Sequence, residues 1–391
     1  MKEEFLIQTR QVMGDDRFDR FMQALGEEPS VSVRVNPLKA GGAVVEGERV
    51  PWCPTGYYLS ARPNFTFDPL LHAGAYYVQE ASSMFVDLVL RQHVDRPVAM
   101  LDLCAAPGGK STAARAALPE GSVLVSNEPV RQRASILLEN ITKWGWPDSY
   151  VTSYYPHAFV KAKARFDVIL CDVPCSGEGM FRKDPKAQAE WSPKNVEKCW
   201  QLQREIVADA WQCLSDGGLL IYSTCTFNLK ENEENVRWMV EELGAEVLPV
   251  ATEAEWGITG SLLAGFSEPV YRFIPGFTRG EGLFVAVMRK PGSLPLTPSK
   301  GKGDLEGLRA PDYEAVAMVD VDYGQALSFL RGEALVLADQ TPRGIVGISF
   351  MGRLLGYAKN IGNRANNLYP KEWRIKTTHI PTEYEAILRF T

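Results

Sequence analysis

The sequence predicts a doubly wound α/β protein with a mainly parallel sheet and smaller modules on either side. Three observations carry that expectation. From about residue 97 to 290, short apolar runs alternate with stretches of helical periodicity, the pattern of strands joined by crossover helices. The segment up to about residue 75 is instead rich in Gly, Pro and aromatic residues, as short strands and turns are. After the alternating region, "KPGSLPLTPSKGKGD" (290–304) has no periodicity and reads as a linker.

Taken in order, the first 25 or so residues carry Phe5, Leu6, Val12, Phe18, Phe21, Met22 and Leu25 at helical spacing, and "SVSVRVNPL" (30–38) alternates as a strand does. The main series opens with the strand "PVAMLDLCA" and the helix "GKSTAARAAL". The strand "SVLVSNE" follows, then the helix "PVRQRASILLENITKWG". A short strand (150–153), "FDVILCDV" and a helix at about 194–214 come next. "GGLLIYSTC", the helix "LKENEENVRWMVEEL" and the strand "EGLFVAVMRK" (281–290) close the series. Beyond the linker, "GIVGISFMGRLLGYAKN" is strand-like and studded with Gly and Arg. The expected division is 1–90, 91–290, a linker 291–304, and 305–391, in keeping with two or three domains for 391 residues.

Composition excludes several classes. With 45% apolar and 23% charged residues, the chain is an ordinary globular protein with ample core material. It has no signal-peptide pattern and no run of about 18 apolar residues, so a cytoplasmic protein is expected. Seven cysteines without a CxxC pair disfavour a disulfide framework and a four-ligand zinc site, and the four histidines show no ligand spacing, so no metal is expected. Net charge is −6, yet residues 342–391 hold eight Lys/Arg and three Glu, a local +5 that leaves −11 for the rest. A basic tail on an acidic body suits nucleic-acid docking by one module; a solvated surface with a surplus of cations accounts for it equally well.

"MLDLCAAPGGKS" (100–111) leaves a strand through small residues and two glycines into a helix, the place where such sheets bind ligands. It is neither a Walker A loop, which would need Gly where Cys104 stands, nor GxGxxG. Glu128 ends the next strand 20 residues past Gly108, a spacing at which a carboxylate takes ribose hydroxyls. A nucleoside cofactor without a pyrophosphate fits, and S-adenosylmethionine answers that description.

Two more strands end in thiols: Cys175 in "FDVILCDVPCSGEGM" and Cys225 in "LLIYSTCTFN". Cys171, Cys199 and Cys213 lie in apolar contexts and read as small core residues. Beside a methyl donor, a thiolate can add to carbon 6 of a pyrimidine and make carbon 5 nucleophilic. A base then removes the carbon-5 proton and the thiol is expelled. Two cysteines and Asp172 select that chemistry over amino-nitrogen methylation, but spacing leaves open which thiol attacks.

"HAGAYYVQEASSM", "DLCAAPGGKS", "DVPCSGEGMFRKDP" and "GGLLIYSTCTFNLKENE" resemble the Nop/Sun (NSUN) family of RNA cytosine-5 methyltransferases, and "SGEGMFRKDP" with the tail resembles its bacterial RsmF (YebU) type. The resemblance covers most of residues 30–290, with a weaker match in the tail. It implies a class I (Rossmann-like) S-adenosylmethionine-dependent methyltransferase core, a small N-terminal RNA-recognition-like region and a C-terminal PUA-like RNA-binding domain. It implies that Cys225 is the nucleophile and that Cys175 assists release of the methylated RNA, with Asp172 facing both cofactor and cytosine. Cys104, Ala105, Ala106, Pro107, Gly108, Gly109, Lys110, Glu128 and Arg133 would form the donor pocket. The RsmF type acts on a cytosine in 16S ribosomal RNA of the small subunit, and the target base must leave any stack to be reached. A transfer RNA substrate, or a non-catalytic assembly factor keeping the fold, are the alternatives.

Two departures stand out. Where the family carries an Asp after the third strand that meets adenine, this chain reads "VTSYYPHAF", with Tyr155 in the place. The chain is also short between core and tail, which bears on substrate choice. Lys183 in "FRKDP" reads either as a contact to RNA or as a solvated loop residue. Tyr76, Tyr77 and Gln79 read either as the border of a base pocket or as core.

Overall fold

The computed structural model describes residues 1–377 and 379–390. Its centre is an eight-stranded sheet: β1 (Ala99–Asp102), β2 (Val123–Asn127), β3 (Ser149–Thr152), β4 (Phe166–Asp172), β5 (Leu214–Thr224), β6 (Glu246–Leu248), β7 (Val270–Phe273) and β8 (Leu283–Arg289). The order is β6-β8-β5-β4-β1-β2-β3, with β7 also paired to β8. Strands β5, β4, β1, β2 and β3 are mutually parallel, and β8 runs antiparallel to β5, β6 and β7. Helices cover both faces, which is why β1 is buried throughout and β4 from Phe166 to Cys171. Parallel strands covered on both sides read as unbroken apolar runs.

The chain leaves β1 toward β2 on one side and later returns on the other side as β4. The crevice of a doubly wound sheet opens at this reversal, outside the carboxyl ends of the strands. The loop after β1 lies at this end, as do Asp172 at the end of β4 and Cys225 just past β5.

The helices Glu3–Met13 and Asp15–Leu25 bury Phe5, Phe18 and Phe21. Phe5 meets Phe181 at 4.8 Å between ring centroids, and Phe21 meets Phe227 at 4.9 Å. The predicted amphipathic face is thereby seated under the two thiol loops. A four-stranded antiparallel sheet follows, in the order Glu48–Arg49, Gly56–Leu59, Val31–Val35, Tyr76–Val78.

The linker is docked along the central domain. Gly301 bridges Arg165, Leu308 bridges Val151, and the Ser299 amide donates to Asp167 Oδ2 at 3.0 Å. The tail folds as the sheet Ala317–Asp320, Gly344–Phe350, Arg353–Asn360, Ala365–Asn367. Its helix Tyr323–Leu330 starts at a capping box of Asp322 and Gln325, which satisfies two otherwise unpaired amides. One apolar cluster joins Val33, Val35 and Leu70 to Leu327, Leu330, Val346 and Ile348, so the tail packs on the N-terminal sheet. Among the described residues, no helix is long and apolar enough to cross a membrane.

Candidate active site

The loop after β1 is built to admit a ligand against backbone. Gly108 has φ +114°, and a Cβ there would lie 3.2 Å from Leu137 Cδ1. That combination of handedness and crowding suits glycine alone. The Ala105 amide donates to the carbonyl of Asn127 at 2.8 Å. Asn140 Nδ2 donates to the Pro107 carbonyl at 2.8 Å, and Arg133 Nη2 to that of Ala106 at 3.2 Å. The Ala106–Pro107 peptide is cis. Glu128, almost fully buried, accepts from the Val130 amide at 3.0 Å and pairs with Arg133 at 3.3 Å. Burial pushes the Cys104 thiol up, consistent with an unreactive wall of the loop. Asp102, fully buried, accepts from Ser111 Oγ at 2.6 Å, and burial pushes its carboxyl up to about 7.

Lys110, in the first turn of the helix Gly109–Ala117, reaches Asp172 at the end of β4 with Nζ–Oδ2 2.9 Å. The other carboxylate oxygen accepts from Ser223 Oγ at 2.7 Å. Burial lowers the Lys110 pKa, but the charge and hydrogen bond of Asp172 outweigh it, and the net shift is upward.

Cys175 Sγ and Cys225 Sγ lie 3.1 Å apart, both partly exposed, and the Cys225 amide also points at Cys175 Sγ at 3.4 Å. The hydrogen bond to Cys225 is the largest cause raising the Cys175 pKa, with burial second. Gly179 donates to the Cys225 carbonyl at 2.8 Å, and a Cβ at Gly179 would sit 2.7 Å from the carbonyl of Gly282. Only a glycine lets the loop after Cys175 pass so close beneath Cys225.

Behind the thiols lies a polar network that charge patterning in the sequence did not single out. Glu178 accepts from the amides of Phe227 (2.6 Å) and Asn228 (3.0 Å) and from Trp191 Nε1 (2.9 Å). Glu231 accepts from the Ser176 amide (3.0 Å), Gln203 Nε2 (2.7 Å) and Asn228 Nδ2 (2.7 Å). Burial, then the charge of Glu178, raises the Glu231 carboxyl to about 7. The signal was present in "SGEG" and "NLKENE", acidic residues directly beside the thiol motifs, but acidic residues read as solvated until burial is known.

The structure thus brings together Cys175 with Cys225, and Lys110 with Asp172. The loop Cys104–Gly109, Glu128 and Arg133 are joined to one another through the bonds above. Tyr155 stands apart: it is 73% exposed at the start of the helix Pro156–Lys161. Lys183 is 3.5 Å from Glu281, which Arg182 also pairs with. Tyr76 is buried with its hydroxyl on Asp68, Gln79 is buried against Arg34, and Tyr77 flanks Gly109. Cys171 and Cys213 are buried and Cys199 half-buried, all three unpaired. Among the described residues no cluster of His, Cys, Asp or Glu is arranged to hold a metal ion.

Sheet order, ligand loop and crevice together define a methyltransferase domain flanked by N-terminal and PUA-like domains. Family models match in three consecutive pieces: the N-terminal domain of 16S rRNA methyltransferase RsmF over residues 1–81, 16S rRNA methyltransferase RsmB/F over 88–289, and the methyltransferase RsmF PUA domain over 317–375. The chain belongs to the 16S rRNA methyltransferase RsmB/F family. It is 35% identical over 318 residues to "Ribosomal RNA small subunit methyltransferase F" of Pectobacterium atrosepticum, covering 76% of this chain and 64% of that one. The protein of the same name from Cronobacter sakazakii is 34% identical over 316 residues, covering 76% and 65%. The chain thus spans less than two thirds of the length of these curated relatives. Among solved structures, a methyltransferase homolog from Pyrococcus horikoshii is similar with TM-score 0.63 at 26% identity, over 74% of this chain and 95% of that one. NSun6 from Pyrococcus horikoshii with SFG is similar in fold, with TM-score 0.62 at 21% identity, over 75% and 99%.

Proposed function

We propose that the protein transfers a methyl group from S-adenosylmethionine to carbon 5 of a cytosine in RNA, in the cytoplasm, with 16S ribosomal RNA of the small subunit as substrate. The observation that carries this reading is the thiol pair, Cys175 and Cys225 at 3.1 Å, opening at the same strand ends as the Lys110–Asp172 pair. The relatives' printed name supports the choice of ribosomal RNA.

The donor loop fits the cofactor. Its small residues and left-handed Gly108 leave the backbone approachable, and buried Glu128 is available for ribose hydroxyls. Residues 104–110, Glu128 and Arg133 would hold it, with Tyr155 open to the adenine. Bound there, the sulfonium supplies an electrophilic methyl group.

The chain's own residues do the rest. Cys225 adds through sulfur to carbon 6 of the flipped cytosine, and the ring electrons move to carbon 5. Asp172, held by Lys110 and Ser223, accepts from the exocyclic amine, a contact that favours cytosine over uracil. After carbon 5 is methylated, a base removes its proton, the carbon 5–carbon 6 double bond re-forms, and the carbon–sulfur bond breaks with its electrons on Cys225. Cys175, whose sulfur lies 3.1 Å from that of Cys225, stabilises the departing thiolate by hydrogen bonding.

The test is trapping. Cys175→Ala and Cys225→Ala proteins are each incubated with 30S subunits or extracted ribosomal RNA and S-adenosylmethionine, then run on denaturing gels. A protein–RNA adduct that accumulates with Cys175→Ala and not with Cys225→Ala is expected. The reverse pattern would exchange the two roles. No adduct from either, with no methyl transfer by wild type to this RNA or to transfer RNA, would overturn the reading.

A further inference from the structure

Away from the thiols, a cavity of about 730 Å³ lies where the N-terminal region, the central domain and the tail meet. Its volume is in the range of about 300–1,000 Å³ that holds small organic ligands. The charged and titratable side chains facing it are Lys39, His72, Lys143, Arg309 and Asp312. Lys39 spends its ammonium on two carbonyls, those of Ala73 and Lys143, with no carboxylate among its partners. Lys143 pairs with Glu139 and lies over the rings of Trp373 at 5.6 Å and Tyr369 at 5.8 Å. Tyr369 is 2% exposed, and its hydroxyl has no hydrogen-bond partner. A buried unpaired hydroxyl is costly, and one beside a cavity points to a ligand group that pairs with it. Across the cavity, Tyr313 and Tyr357 form a T-shaped pair at 5.3 Å.

The cavity also shares two of its walls with a second cleft on the donor-loop side. His72 and Lys143 belong both to it and to a second cleft of about 280 Å³, whose wall includes Tyr77 and Asn140. Tyr77 flanks Gly109, and Asn140 holds the carbonyl of Pro107. Tyr77, Asn140 and Lys143 therefore stand between the donor loop and the junction.

We propose that this junction cavity is a second nucleotide site, which takes a single-stranded ribonucleotide flanking the target cytosine. Its base packs on Tyr313, Tyr357 or Trp373, its phosphate meets Lys39 and Lys143, and a sugar or base polar group pairs with Tyr369. Flat aromatic faces suit any base, and the Lys39 ammonium, without a carboxylate partner, suits the backbone. Burial lowers the Lys39 pKa to about 8 and, together with Lys143, the His72 pKa to about 4; an arriving phosphate relieves both. The inference rests on the reading of the chain as an RNA methyltransferase, and it deepens that reading by assigning the tail a specific place on the RNA.

The test uses the full chain with 16S ribosomal RNA containing 4-thiouridine. Tyr313→Ala, Trp373→Ala and the double variant are compared with wild type for RNA KM, kcat, S-adenosylmethionine affinity and the peptides crosslinked by ultraviolet light. Stacking is worth about 1–3 kcal/mol per base, so KM should rise at least about 5-fold, with kcat and donor affinity within about twofold. Tyr313→Phe should restore the wild-type KM. Crosslinks in wild type should fall in 308–313 or 368–373. Tyr313 lies outside any helix or strand, so its variant keeps the test available should Trp373→Ala not fold. Unchanged KM with crosslinks elsewhere overturns this inference while leaving the catalytic reading intact. Crosslinks at the cavity in a wild type that transfers no methyl would uphold it and overturn the catalytic reading.

Discussion

Arg34 Nη2 donates to Thr112 Oγ1 at 2.6 Å and to the carbonyl of Gly109 at 3.2 Å, which ties the N-terminal sheet to the helix that follows the donor loop. Its Nε donates to Gln79 Oε1 at 2.7 Å, and the guanidinium lies 4.5 Å over Trp144. The side chain is fully buried with no carboxylate among its hydrogen-bond partners, and burial brings its pKa down to about 10. It therefore stays charged at neutral pH, held by oxygen acceptors and a ring face.

Arg34→Met removes three donors and leaves Gln79 Oε1 unpaired, while the Gly109 carbonyl keeps Thr112 Oγ1 at 3.0 Å. At about 1–3 kcal/mol per buried orphan, chemical denaturation should show a loss on the order of 1–3 kcal/mol. Because Gly109 begins the helix after the loop, S-adenosylmethionine affinity by calorimetry should fall at least about fivefold. A destabilised protein with unaltered donor affinity would limit Arg34 to holding the domains together.

Gly179→Ala probes the passage beneath Cys225. The new Cβ would meet the Gly282 carbonyl at 2.7 Å and the Cys225 carbonyl at 3.1 Å, all backbone. Backbone cannot swing aside as a side chain can, so the thiol loops must separate. The expected result is a fall in kcat of tenfold or more with little change in RNA KM, since a small misplacement at the reacting group is costly. Gly177→Ala separates crowding from backbone strain: its φ is +74°, which Gly179 does not share, but its Cβ would meet nothing within 4 Å.

How much of this was legible beforehand follows burial. Strands β1, β4 and β5 were readable because parallel strands covered on both faces are plain apolar runs, and the thiols were readable because they end those runs. The seating of the first two helices under the thiol loops was not, since periodicity tells which face is apolar and not what covers it. The linker "KPGSLPLTPSKGKGD" reads as free chain, yet Ser299 and Gly301 bind Asp167 and Arg165; a few backbone bonds leave no compositional trace. Glu178 and Glu231 look solvated in sequence, and only the fold shows them buried as acceptors for the loop amides. The resemblance implies roles for Cys175 and Cys225, while their 3.1 Å separation is set by the fold.

Asp102 makes stability depend on pH. Its carboxyl ordinarily titrates near 3.8, and burial raises it to about 7 in the folded state. The folded protein then holds a proton that the unfolded chain releases, so stability is full below about pH 4 and declines as pH rises through about 7. Glu231 contributes the same sign over about 4.5 to 7. Asp102→Asn, close in shape and without a charge, should flatten part of the decline between pH 5 and 8 in denaturant midpoints. A variant with the wild-type slope would assign the dependence to Glu231 or to other groups.

Asp172 is held on both oxygens, by Lys110 Nζ at 2.9 Å and Ser223 Oγ at 2.7 Å, and the two anchors are separable. Asp172→Asn keeps the size but removes the charge that holds Lys110 and leaves one acceptor oxygen where there were two. Acid–base groups contribute about 10²–10⁴ in rate, so kcat should fall at least about 100-fold with the fold intact. Ser223→Ala leaves the charge and the Lys110 pair but frees one oxygen, and a fall closer to tenfold is expected. Lys110→Met strips the carboxylate of its cation, and kcat should fall further than with Ser223→Ala. If Asp172→Asn and Ser223→Ala lowered kcat equally, the carboxylate would be acting through its position alone, and its charge would have no part in recognising cytosine.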